Sequence, residues 1–281
     1  MRTDSDASTM ETVIEPAAST KPIPFAEIWA FRELLYQLVW RDLSVRYKQS
    51  FLGVAWVVVT PLITAGIFAL IFGLLARMPT NDVPFISFFL AGLMPYLFFS
   101  GAMSSAANSM VAQRSLVTKV YFPRILLPLS ATLTPLVDFL AAMVVLLCIN
   151  LYQGFVPDLS ALLWVPGVIL WVWMAATGLG LWLGALNVYY RDVRQVVPFL
   201  VRVFMFASPV LYPVSMIPEK WHWLYAFNPI AGAIEWFRWA LFGTTAPPSP
   251  VFFISFAVTL LLLVTGVPFF RRVEQSFADV V

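Results

Sequence analysis

The sequence predicts an all-α integral membrane protein: six transmembrane helices, an N-terminal amphipathic interface helix, and re-entrant helices before the last span. Hydrophobic residues make up 60% of the 281 positions and charged ones 11%, against roughly 45–50% and about 25% in soluble domains. A soluble core cannot hide that much apolar surface. Six apolar runs lie at about 52–75, 85–107, 125–150, 161–187, 196–213 and 251–270. Each is near the roughly 20 residues that cross about 30 Å of hydrocarbon. The basic residues are also unevenly distributed between the connections. Thirteen fall in the leader and interface helix, the second and fourth connections and the tail, while three (Arg77, Lys220, Arg238) fall in the others and Arg202 lies inside a run. By the positive-inside rule both termini are cytoplasmic.

Residues 1–24 are rich in Ser, Thr, Asp, Glu and Pro without periodicity, which predicts a disordered cytoplasmic leader. No cleavable signal peptide is expected, because the first apolar run begins about fifty residues in. Residues 25–50 form the interface helix. Ile28, Phe31, Leu35, Leu38 and Val39 recur at helical spacing, with Glu33, Gln37, Arg41, Ser44 and Lys48 on the opposite face. Such a helix lies along the membrane surface and does not span it. Arg32, Asp42 and Arg46 interrupt its apolar face, so two readings stand: a plain surface anchor, or a face that contacts protein. The stretch Trp40–Pro61 passes without a spacer into the 51–281 transmembrane domain, and so sets the sidedness of everything after it.

The fifth connection, Ser208–Pro250, is too long and too apolar for an ordinary loop. Its piece between Pro229 and Phe242 is too short to span and is bracketed by Pro and Gly. That pattern fits a re-entrant helical pair, tolerated only against protein or a water-filled cavity. The segment at about 213–242 is therefore a candidate outer gate, with Trp221, Trp223, Asn228, Pro229, Glu235, Trp236 and Trp239 as its residues. The other reading is an interfacial hairpin anchored by its four tryptophans. Gly180 and Gly184 form a small-xxx-small pattern expected to serve close helix packing.

The missing chemistry excludes several classes. One histidine, His222, is present, with no HExxH, paired carboxylates or Gly-x-Ser-x-Gly, so neither catalytic residues nor a metal site are expected. No Gly-Lys-Ser/Thr phosphate loop occurs, so the chain is not expected to hydrolyse ATP. A net charge of +2 gives no case for nucleic acid. The lone Cys148 is read as a small buried hydrophobe. Only Asp138 and Arg202 sit deep in apolar runs; a structural pair across the third and fifth spans is the leading reading, beside a place in a conduit wall or proton coupling. The energy source is expected on another polypeptide. Val117–Arg124, basic and aromatic and closed by Pro123, suits a groove on a soluble partner, an ordinary positive-inside turn being the alternative.

Five motifs in order carry a resemblance: LVWRDLSVRYKQSFLGVAWVVVTPL (Leu38–Leu62), LVTKVYFPRILLPLS (Leu116–Ser130), LNVYYRDVRQVVPFL (Leu186–Leu200), SPVLYP (Ser208–Pro213) and FNPI (Phe227–Ile230). With them the chain resembles the permease subunit of polysaccharide and polyol-phosphate ABC exporters, which move O-antigens, capsules or teichoic acids. The resemblance implies a homodimer in the bacterial inner membrane, bound to two copies of an ATP-binding cassette subunit that holds the ATP and Mg. It implies a lipid-linked polysaccharide as cargo. ATPase coupling would fall to Arg41, Arg46, Lys48, Lys119, Tyr121, Pro123, Arg124, Arg191 and Asp192. The translocation path would be ringed by aromatics, with Trp56, Phe68, Phe72, Tyr96, Phe99, Phe204 and Tyr212 as candidates. A second reading keeps the exporter but makes the cargo a small amphiphile or drug. A third, an intramembrane glycosyl- or acyltransferase, is opposed by the missing acid–base cluster.

Overall fold

The computed structural model describes residues 25–48, 53, 55–80, 83–119, 122–154, 163–243 and 249–274, which include no strand. The leader predicted at 1–24 lies outside them. Two helices come first, α1 (Phe25–Ala30) and α2 (Arg32–Lys48). Then follow α3 (Ala55–Phe68), which continues as a π-helical stretch through Leu75, and α4 (Phe85–Ala112). A short α5 (Arg114–Lys119) leads to α6 (Leu126–Tyr152) and α7 (Val165–Tyr189). The remainder comprises α8 (Val193–Ala207), α9 (His222–Tyr225), α10 (Ala231–Phe242) and α11 (Phe253–Glu274).

Five of the helical segments are long and apolar enough to cross a membrane: Ala55–Leu75, Phe85–Ala112, Leu126–Tyr152, Val165–Tyr189 and Pro250–Glu274. The run predicted at 196–213 behaves differently. Its helix, α8, has 15 residues, about 22 Å at 1.5 Å per residue, short of the roughly 30 Å of hydrocarbon. Ser208 ends it by taking an extended backbone (φ −110, ψ 155). The next residue is Pro209, whose ring disfavours helical backbone in the residue before it.

The central helix is α4, packed most extensively along α6 and α7, with α7 in turn against α11. Small residues make these contacts close. A Cβ on Gly180 would stand 2.6 Å from Ala106 Cβ of α4, and one on Gly184 would stand 3.2 Å from the Ala106 carbonyl oxygen, so the predicted small-xxx-small pair does face a neighbouring helix. A contact of backbone on backbone, which the spacing did not announce, joins α7 to α11. A Cβ on Gly178 would lie 2.7 Å from the backbone nitrogen of Leu263, and one on Gly266 would lie 2.8 Å from the Gly178 carbonyl oxygen. Backbone cannot yield as a side-chain tip can. Gly178→Val is therefore expected to lower stability by ~1–3 kcal/mol through overpacking. The check is the thermal midpoint by fluorescence-detected size exclusion, with Gly167→Val as the control, since nothing lies within 4 Å of a Cβ there.

Cys148 corrects its expectation: it is exposed on α6, on a side of the helix that no other described helix of this chain covers. At the end of α10, Gly243 takes the left-handed conformation (φ 59) and its N–H bonds the Trp239 carbonyl at 2.9 Å, a glycine helix cap.

Candidate functional site

The basic end of the bundle is a built surface. Leu38 of α2 is buried in one cluster with Val117 of α5, Phe122, Ile125 and Leu126, Met110 of α4, Leu181 of α7 and Phe270 of α11. Ile28, Phe31, Leu34 and Leu35 pack against the same cluster, so the apolar face of α1–α2 contacts protein. The opposite side exposes Trp29, Tyr36 and Trp40.

Two polar ties fix this end. Arg46 of α2 pairs with Asp138 of α6 at 2.7 Å, and the Tyr47 hydroxyl donates to the other oxygen of that carboxylate. Burial and, after it, the bond to Asp138 push the Tyr47 phenol up to about 12, so it stays a proton donor at working pH. This corrects the pairing read from sequence: the partner of Asp138 is Arg46, while Arg202 stands exposed on α8. The pairing follows from α2 folding back along α6, which brings the interface helix to the third span. The second tie joins Arg124 to the end of α11. Its N–H donates to Glu274 Oε1 at 2.9 Å and its guanidinium to the Glu274 carbonyl oxygen.

Among the remaining residues read as coupling contacts, Arg41 pairs at 2.8 Å with the adjacent Asp42. Lys48, Arg191 and Asp192 are exposed. The Asp192 carbonyl accepts from Gln195 and Val196, starting α8. Pro123 is half-buried, and its carbonyl accepts from Leu126 at 3.0 Å. Lys119 ends α5 but its side chain lies outside the described residues, as does all of Tyr121. The structure thus gathers α2, α5, the turn at 122–125 and the Arg191–Asp192 turn at one end of the bundle.

Between α2, α3, α4 and α6 lies a cavity of 870 Å³. Trp56, half-exposed on α3, lines it, together with Arg46, Tyr47 and Asp138. The α4 wall carries Ser100, Gly101, Ser105, Asn108 and Ser109 beside Met94, Leu97 and Phe98.

The other candidate path aromatics sit in packing within this chain. Phe68 and Phe72 cluster with Phe89, at ring separations of 6.0 to 6.3 Å. Phe99 is fully buried, edge-on to Phe204 at 5.3 Å. The buried Tyr96 hydroxyl donates to the Val201 carbonyl. Tyr212 donates to the Phe206 carbonyl at 2.9 Å, so the Tyr225 hydroxyl, 2.8 Å away, must donate to it.

At the opposite end the SPVLYP and FNPI motifs fold over the bundle. Asn228 Nδ2 donates to the Ala207 carbonyl and to Ser208 Oγ, both at 2.9 Å, while its Oδ1 accepts from Ile230 N at 3.0 Å. The Pro229 carbonyl accepts from Trp171 Nε1 of α7 and Thr259 Oγ1 of α11. Trp236 packs on Trp164, Trp239 and Phe253, whereas Trp221 and Trp223 are exposed. α10 is nearly engulfed by protein, as irregular backbone at membrane depth requires. Its Arg238, 6% exposed, is the anchor that sequence reasoning missed, although the i, i+3 spacing to Glu235 was a signal. Arg238 Nη2 donates to the Val210 carbonyl at 2.9 Å, Nη1 faces Glu235 and the Tyr212 carbonyl at 3.4 Å, and the guanidinium lies 3.8 Å from the centre of the Phe88 ring.

Five helices long and apolar enough to cross a membrane mark a multi-pass membrane protein. The chain belongs to the ABC-2 type transporter membrane family, which it matches over residues 33–242. It is 30% identical over 255 residues to the O-antigen export system permease protein RfbA of Myxococcus xanthus, covering 90% of this chain and 97% of the relative. With the protein of that name from Klebsiella pneumoniae it shares 29% over 248 residues, covering 88% and 95%. The polysialic acid transport protein KpsM of Escherichia coli is 24% identical over 240 residues, covering 84% and 92%.

Proposed function

We propose that this chain is the transmembrane subunit of an ATP-driven exporter that moves a lipid-linked polysaccharide across the bacterial inner membrane, with both termini in the cytoplasm. It works as a homodimer with two ATP-binding cassette subunits, which hold the ATP and Mg. The observation that carries this reading is family membership together with two kinds of relative, both named for glycan transport, aligned over nearly their whole lengths. The basic end supports it. The α2 helix, α5 and the Arg191–Asp192 turn form one surface, and α2 is tied to a spanning helix through Arg46 and Asp138. A push on that surface reaches α6 directly, as a rigid-body mechanism needs. In this reading Arg41, Lys48, Lys119, Arg191 and Asp192 face the ATPase, while Arg124 acts within the chain by holding the 122–125 turn to α11. At the other end the Asn228–Pro229 staples and Arg238 set the outer gate.

The test is reconstitution. Vesicles holding this chain and an ATP-binding cassette partner are expected to move lipid-linked glycan only with hydrolysable ATP, and a deletion strain is expected to accumulate that glycan inside. Uphill movement by the chain without an ATPase, or a deletion strain with normal surface glycan, would overturn the proposal.

A further inference from the structure

The α4 helix crosses the bilayer, yet it turns exposed Ser105 and Asn108 to the side, with Ser100 and Ser109 beside them. Ser100, Asn108 and Ser109 each donate to a carbonyl of their own helix, yet their remaining polar capacity would be wasted against hydrocarbon. Here they face the 870 Å³ cavity instead. In its wall the Thr134 hydroxyl, on a residue 7% exposed, has no hydrogen-bond partner in the described protein, nor has the buried side-chain carbonyl of Gln113. Neither atom has accessible surface of its own, so the groups an occupant would meet are the exposed Ser105, Asn108 and Trp56.

The charge balance narrows the class. Asp42 is matched by Arg41 at 2.8 Å and Asp138 by Arg46 at 2.7 Å. The described lining therefore offers no unmatched cation for a phosphate and no unmatched carboxylate for an amine. What remains is hydroxyl and amide groups beside aromatic faces: Trp56 is half-exposed at the cavity, and Phe98 and Phe139 lie in its wall. Flat apolar rings with scattered neutral hydrogen-bonding groups match a sugar ring, which has apolar faces and a hydroxylated rim. The volume falls in the range of about 300–1,000 Å³ found for small-ligand pockets. The wall towards the bilayer is α3, which, with α11, is the least buried of the spanning helices and exposes Ile63 and Ile67 beyond Trp56. A polar seat behind so thin an apolar wall suits an occupant whose other end stays in lipid.

We infer that this cavity seats a neutral pyranose unit of a membrane-anchored glycan, the unit next to its lipid. The inference rests on the proposed export function for the choice of glycan. The seat lies within one chain, at the basic end, where cargo would be held before any path opens.

The test measures binding without transport. The full chain, in phosphatidylethanolamine/phosphatidylglycerol vesicles, is exposed to a dodecyl maltoside carrying a diazirine at the sugar-proximal end of its tail. Matched dodecylphosphocholine and dodecyl phosphate probes run in parallel, and labelled peptides are mapped by mass spectrometry. The maltoside probe is expected to label α4 between Ser100 and Gln113 in preference to both others. Ser105→Trp, which fills the seat, and Trp56→Ala, which removes a stacking face, are expected to cut that labelling about tenfold, the effect of losing one or two such contacts. Trp56 is exposed, so its variant tests the seat even if Ser105→Trp fails to fold. Equal labelling by the phosphate or choline probe, or labelling untouched by either variant, would overturn the inference. Sugar-selective labelling in a chain that exports no glycan would instead sink the function and leave the seat standing; export without labelling would do the reverse.

Discussion

Arg238→Ala is expected to destabilise the protein by about 3–5 kcal/mol, the range found when one member of a buried ion pair is removed. The deletion would leave Glu235 without its cation and free the carbonyls of Val210 and Tyr212, each of which accepts from the guanidinium. It would also open space against Phe88, whose ring lies 3.8 Å from the guanidinium carbon. The loss falls on the segment that closes one end of the bundle, so the folded yield and the thermal midpoint should both drop. Two further variants separate charge from bulk. In Arg238→Met with Glu235→Met both charges go and the volume stays, and most of the loss should return, as apolar replacements of buried pairs commonly allow. Gly92→Ala leaves the pair chemically intact, but its Cβ would sit 2.4 Å from Arg238 Nη2 and 2.8 Å from the Val210 carbonyl, so it should reproduce part of the defect by displacement. If the double methionine variant melts as low as Arg238→Ala, the loss comes not from a stranded Glu235 charge but from the guanidinium's bonds to the Val210 and Tyr212 carbonyls.

What the sequence revealed follows from the range of the interactions involved. Long apolar runs announce themselves because a bilayer demands about 20 of them in a row, and the segments Ala55–Leu75 to Pro250–Glu274 fell where those runs lie. The short α8 was also readable, since Ser208 precedes Pro209, but hydropathy alone carried the run on to 213. The partner of Asp138 was not readable. Its choice of Arg46 over Arg202 depends on α2 folding back along α6, a tertiary fact with no local signal. The face that an aromatic presents was not readable for a related reason. Phe68, Tyr96 and Phe99 have the composition of a lining, but composition does not say which face of a helix turns inward, and here these rings pack between helices of the same chain. The polar side of α4 did leave a trace, because Ser100, Ser105, Asn108 and Ser109 recur at helical spacing and lipid would not tolerate them.

Asp138→Leu is expected to lower ATP-driven export by a factor of roughly five to thirty, equivalent to ~1–2 kcal/mol, while leaving the chain folded. Among the described residues its carboxylate is the polar anchor between α2 and α6, gripping Arg46 at 2.7 Å and accepting from Tyr47. Arg46 is half-exposed, so the pair is worth far less than a buried one, and solvent screening limits the loss to that modest range. The bundle would survive because Leu38 and its neighbours keep α2 docked by apolar contact. What fails is the stiffness of the link: α2 could slide when the ATPase closes, without moving α6. ATP hydrolysis should therefore continue while glycan delivery falls, a separation that misfolding would not produce. Tyr47→Phe removes only a neutral donor and should have a smaller effect in the same direction. Exchanging the charges, Arg46→Asp with Asp138→Arg, restores the attraction and should recover much of the export. Proteoliposomes with the ATPase partner, scored for phosphate release and for glycan moved per ATP, distinguish the cases. A loss of hydrolysis in step with export, or no recovery on exchange, would rule out the tether as the element that transmits force.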